Sequence, residues 1–135
     1  MTPEAELLRA LYGGEANITH KRAWLDLFLE LAQTRIDALR QTLNHWHAQP
    51  AQQSLPFAAL TQADELAGLC AEQPSDSMAQ LAEMLAQAVR RASAQSATAD
   101  QRQALLQASD ELWRQLHQHA AGVQVVTPSH ILSAL

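Results

Sequence analysis

Between Thr19 and about Ala48 the apolar residues recur at helical spacing, but they fill two stripes rather than one. At about 100° per residue, Leu25, Phe28, Leu29, Ala32, Ile36, Leu39, Leu43 and Trp46 fall on one continuous stripe. Trp24, Leu27, Leu31 and Ala38 form a second stripe beside it, mostly in the first half. One packed neighbour needs an apolar arc of about 100°, whereas the first half of this helix spans roughly 200°. Such a helix must meet two surfaces: its own bundle, and a second helix, a second subunit or something that is not protein. Arg35 sits within the apolar arc of this helix, close to the azimuth of Trp24. Trp24, Leu27, Leu31 and Arg35 are therefore the candidate interaction face.

The rest of the chain reads as further helices with short connections. Thr2-Pro3, followed by Glu4 and Glu6, opens a short helix with Leu7, Leu8 and Leu11 on its apolar face; Gly13-Gly14 ends it. Thr19 is the expected cap of the long helix. A polar connector from Gln49 leads to Ser54, the expected cap of the next helix, with Pro56 in its first turn. Phe57, Leu60, Ala63, Leu66, Ala67 and Cys70 supply the apolar positions of that helix. A bend between Thr61 and Asp64 is expected if Asp64 caps a second segment. Gln73-Pro74 stops the helix, and Ser75 or Asp76 starts the next.

That next helix carries the stripe Met78, Leu81, Ala82, Leu85, Ala88, Val89 and Ala92, spaced as in a bundle seam. Two outcomes are open for the Ala-, Ser- and Thr-rich stretch 92–99. Either it breaks, with Thr98-Ala99-Asp100-Gln101 as a capping box, or it runs on into the helix bearing Leu105, Leu106, Leu112, Trp113, Leu116 and Ala120. Gly122 is the expected C-terminal stop. Val123 to Val126 reads as extended, and Thr127-Pro128-Ser129 opens a last turn whose Ile131, Leu132 and Leu135 are apolar enough to dock. The predicted fold is an all-α antiparallel bundle of three to four main helices with short terminal helices, in one domain spanning residues 1–135.

Composition narrows the core. Aromatics make up only 4% of the 135 residues, so Leu and Ala must fill it, and close helix packing is favoured. Strong helix formers dominate, interrupted by four glycines and five prolines. The single lysine among abundant glutamine suggests a GC-rich bacterial genome. The formal net charge of −5 and the scattered basic residues lack the clustered positive face that phosphate backbones require. Nucleic-acid binding is disfavoured. The acidic N-terminus lacks signal-peptide character, and no apolar run approaches the ~18 residues of a membrane span. The expected location is the cytoplasm. Cys70 is alone, so no internal disulfide can form; it reads as a small apolar core residue.

No constellation carries recognisable chemistry. His45 and His47, like His117 and His119, are two apart and diverge by about 200° on a helix, so neither pair chelates alone. No Glu-x-x-His or His-Glu-x-x-His sequence is present. The adjacent carboxylates Asp64-Glu65 and Asp110-Glu111 diverge by about 100° and cannot share a proton. Asp26, Glu30 and Asp37 line the polar side of the long helix. Gly13-Gly14 lacks the strand and lysine of a phosphate loop. The expectation is a non-catalytic protein without metal or cofactor, and a histidine-based metal protein or enzyme is the remote alternative.

Two segments carry a family resemblance. Leu25 to Thr34 (LDLFLELAQT) is similar to the opening helix of phasins, the coat proteins of bacterial polyhydroxyalkanoate granules. Gln62 to Leu69 (QADELAGL) resembles a mid-chain phasin stretch, and the Gln73-Pro74 break and the Ala-rich helix Met78 to Ala97 follow in the same order. The resemblance implies a non-enzymatic amphipathic protein that covers a hydrophobic polyester surface and often oligomerises. A dimer is the expected assembly, with a granule surface or a protein as partner. The other reading of the same apolar face is a groove for a partner helix, as in an adaptor, chaperone or secretion accessory.

Overall fold

The computed structural model of the protein describes residues 3–4, 18–72 and 76–135; the side chains of residues 18–24 and 76 lie outside the described set. The chain divides into two compact units, Met1–Leu31 and Ala32–Leu135. Among the described residues the helices, in order, are α1 Ile18–Ala48, α2 Ser54–Ala71, α3 Asp76–Ala94, α4 Ala99–Ala120 and the short α5 Ser129–Ala134. No strand occurs among the described residues, and the fold is an all-α helical bundle. Among these residues no helix is long and apolar enough to cross a membrane. Of the predicted first helix, Leu7, Leu8, Leu11 and the Gly13-Gly14 stop lie outside the described residues.

In the first unit, α1 begins at Ile18, one residue ahead of the expected Thr19 cap. Phe28 is buried, whereas Leu25, Leu27, Leu29 and Leu31 are each half-buried.

In the second unit the core is built from small and branched aliphatic side chains, as the scarcity of aromatics requires. The remainder of α1 buries Ala32, Ile36, Leu39, Leu43 and Trp46. Every member of the α3 stripe, from Met78 to Ala92, is buried. Helix α2 packs on α3, α3 on α4, and α5 on α4.

The structure corrects three local expectations. Ser54 does not cap α2: Gln53 already has helical backbone angles and gives no side-chain cap, and Ser54 Oγ instead accepts from Gln52 Nε2 at 3.3 Å. The bend near Asp64 is absent, because the Asp64 carboxylate is held by Arg90 of α3 at 3.1 and 3.2 Å rather than turned back on its own backbone. Phe57 is 75% exposed. It lies roughly 140° round the helix from the buried Cys70, outside the arc that Ala59, Ala63, Leu66 and Ala67 fill.

The open question at residues 92–99 resolves to a break. Thr98 Oγ1 accepts from the Gln101 backbone N–H at 3.1 Å, and Gln101 Oε1 accepts from the Thr98 backbone N–H at 2.9 Å. These reciprocal bonds satisfy two of the donors a helix start leaves open, so a new helix is favoured over continuation. At the other end of α4, Gly122 has φ +77°, a backbone region that glycine enters without strain. Val123 N–H donates to Gln118 O at 2.9 Å and Gly122 N–H to His119 O at 3.1 Å, the paired bonds of a Schellman stop.

Candidate functional site

The candidate interaction face divides into parts with different surroundings. Trp24 lies in α1, but its side chain is outside the described residues. Leu27 and Leu31, in the first unit, are half-buried. Arg35, in the second unit, is also half-buried and donates from a guanidinium nitrogen to the Glu65 backbone oxygen of α2 at 3.4 Å. That placement gives Arg35 a partner inside the bundle. Ala38, the last member of the second stripe, is half-buried.

Burial changes character along α1. After Leu31 the helix segregates cleanly: Ile36, Leu39, Leu43 and Trp46 are at most 3% exposed, while Gln33, Thr34, Gln41, Asn44 and His45 are exposed. Before Ala32, leucines stand at every second position, and a two-residue step turns a helix by about 200°. Leu25, Leu27, Leu29 and Leu31 therefore place apolar surface on opposite sides, and none is fully covered.

The polar surface of the second unit is knit by a few ion pairs. Arg40 Nε donates to Asp110 of α4 at 2.9 Å, and its guanidinium carbon stands 5.2 Å from the centre of the Trp113 ring. Trp113 also meets His117 edge-to-face at 4.7 Å. This stacking explains why Trp113 stays half-buried on an otherwise apolar helix face.

A buried polar cluster was not foreseen from the sequence. Gln115 is fully buried in α4. Its Nε2 donates to Thr127 Oγ1 at 2.7 Å and to Glu111 Oε1 at 3.2 Å, and its Oε1 accepts from Ser77 Oγ at 3.4 Å. Ser77 and Thr127 hydroxyls are 2.9 Å apart. Glu111 is only 8% exposed and receives Arg114 Nε at 2.8 and 3.1 Å. The Arg114 hydrogen bonds hold the Glu111 carboxyl below the usual glutamate range, against the upward push of burial; Gln115 and the charges of Arg114 and His130 add to the lowering. One signal for the cluster was present: Gln115 falls roughly 20° from Ala108 on the α4 wheel, inside the apolar arc.

Among the described residues the histidines do not assemble into a metal-holding group. His45 and His117 are exposed, and His47 and His119 are half-buried. Among the described residues no group of three or more His, Cys, Asp or Glu side chains is placed to hold a metal ion. The Cys70 thiol is buried, and that burial pushes its pKa up to about 12, so it remains protonated and unreactive at neutral pH. The arrangement is that of a packed scaffold with an incompletely covered apolar helix segment. Comparison with protein-family models, with curated proteins and with solved structures finds no match for this chain.

Proposed function

We propose that the protein is a non-catalytic interaction protein that associates with an apolar surface through the first half of α1. The observation that carries this reading is the contrast within that helix. Residues 32–46 sort apolar from polar side chains as one packed face demands, whereas Leu25, Leu27, Leu29 and Leu31 stay half-buried on opposite sides. Trp24 extends the same stripe in the sequence. Burial of this surface would drive association at about 25 cal/mol per Å² of apolar area removed from water.

The phasin-like pattern of Leu25 to Thr34 selects the partner: the surface of a polyester granule, with a second copy of the chain as the ordinary way to cover what remains. The test pairs solution mass by light scattering with co-sedimentation on polyhydroxybutyrate particles, for the wild type and for Leu27→Asp/Leu31→Asp. The wild type should sediment with the particles and form a dimer, and the double variant should lose both while keeping its helical circular dichroism. A double variant that retains both properties, or a wild type that is monomeric and ignores the particles, would sink the assignment. A single stoichiometric protein partner without particle binding would move the reading to an adaptor.

A further inference from the structure

Beyond α4 the chain doubles back over the surface that α3 and α4 form. The Thr127 hydroxyl meets Ser77, in the first turn of α3, at 2.9 Å and Gln115 of α4 at 2.7 Å. Leu135 meets Arg91 in the last turn of α3, its backbone oxygen accepting from the guanidinium at 2.7 Å. Ser77 and Arg91 stand about 21 Å apart along the helix axis, so residues 127–135 run most of the length of the groove between the two helices. Ala134 and Leu135 border a cavity of about 300 Å³ together with Ala92 of α3 and Leu105 of α4. This end of the tail sits in the groove without filling it.

Few groups attach this tail to the bundle. Among the described residues 123–135 only Ile131 is buried, and Val123 and Val126 are 52% and 68% exposed. The Ile131 and Leu135 amides bond to Pro128 O and Leu132 O, inside the tail itself. Beneath it, two bonds do not involve the tail: Ser77 Oγ donates to Gln115 Oε1 at 3.4 Å, and Gln115 Nε2 to Glu111 Oε1 at 3.2 Å. The helices bury a core of their own, with Ile36, Leu43, Leu81, Leu85 and Leu112 at most 1% exposed. Departure of the tail therefore uncovers one apolar side chain and leaves the polar floor of the groove mostly paired.

We infer that the α3–α4 groove is a docking site for this segment, filled in cis by the chain's own tail and open to the same tail from a second copy. The seated tail shows what the groove takes: a hydroxyl for Gln115, an apolar side chain at Ile131 and a carbonyl oxygen for Arg91. Each of these contacts lies beyond Val126, and residues 123–126, which link them to α4, add no buried side chain. The contacts are the same whichever copy supplies them, which is the condition for two copies to exchange an element. The cis tail keeps the advantage of its tether, whose effective concentration a free segment must overcome. The groove lies within the second unit and uses neither Leu27 nor Leu31, so it stands apart from the proposed granule-binding surface.

The test titrates an unlabelled synthetic peptide of residues 123–135 into the ¹⁵N-labelled full chain carrying Ile131→Asp, which loosens its own tail and leaves the groove intact. Saturable 1:1 shifts are expected at the amides of Ser77, Arg91 and Gln115. The unsubstituted chain, whose groove is filled, should need at least about tenfold more peptide for the same shifts. A peptide that itself carries Ile131→Asp should produce none. Should Ile131→Asp disturb the helical circular dichroism, Thr127→Ala, which removes one anchor and no buried apolar side chain, takes its place with the same expectations. A loosened, folded chain that ignores the peptide, an equal response to the altered peptide, or an unsubstituted chain that binds as tightly as the variant would overturn the proposal.

Discussion

Gln115 donates from Nε2 to Thr127 Oγ1 at 2.7 Å, and this bond ties the fully buried amide of α4 to the extended segment that leads into α5. The tail is held at three points: Thr127 by Gln115 and Ser77, Ile131 by burial, and the Leu135 backbone oxygen by Arg91. Gln115→Leu keeps the volume but strands Thr127 and one Glu111 oxygen without this donor. The expected loss is about 1–3 kcal/mol of stability. Hydrogen exchange provides the local readout, because the Ile131 and Leu135 amides are bonded to Pro128 O and Leu132 O. Both amides should exchange faster in the variant; unchanged protection would show that Ile131 burial alone holds the tail.

Acid should weaken the bundle through Glu111. Its carboxyl pKa is lowered in the folded chain, chiefly by the Arg114 hydrogen bonds, so the folded state favours the ionised form more than the unfolded state does. The resulting stability is fully present above the ordinary glutamate range. It is lost as pH falls through that range and on through the lower folded value. Urea midpoints measured from neutral pH down to acid should therefore decline less steeply for Glu111→Gln than for the wild type. Parallel curves would mean that Glu111 contributes nothing to the acid limb.

The two ends of α4 should respond independently. Thr98→Ala removes the acceptor of the capping box and should cost about 1 kcal/mol. Gly122→Ala forces a side chain into a positive-φ position and should cost about the same, although nothing would crowd the new methyl. The sites lie at opposite ends of one helix, so the double variant should show additive losses in thermal melts. A neutral Thr98→Ala would show that water replaces the cap without loss.

Cys70 should be silent towards disulfide reagents in the native state. Burial pushes its pKa up to about 12, and the thiolate is the reactive form. Labelling with a chromogenic disulfide should be slow in buffer and immediate in denaturant. Rapid labelling without denaturant would mean that α2 opens locally around this residue.

What the sequence determined by itself was set by local chemistry and periodicity. The helix formers and the 3–4 spacing of Met78 to Ala92 made an all-α bundle legible, because each helical face must be buried to be stable. Gly122 marked a real helix end, since such stops are made within a few residues of chain, whereas the Thr98/Gln101 pair offered a helix start that the structure chose over continuation. Tertiary structure decided what depends on distant partners. Asp64 became an ion-pair partner of Arg90 rather than a cap, and Arg35 found a backbone oxygen of α2. Glu111 and Gln115 were drawn into the core because Arg114, Ser77 and Thr127 satisfy them there. A buried polar group is stable only where its partners meet it; Arg114 is one turn away on α4 itself, but Ser77 and Thr127 come from α3 and the tail, up to 38 residues away in sequence.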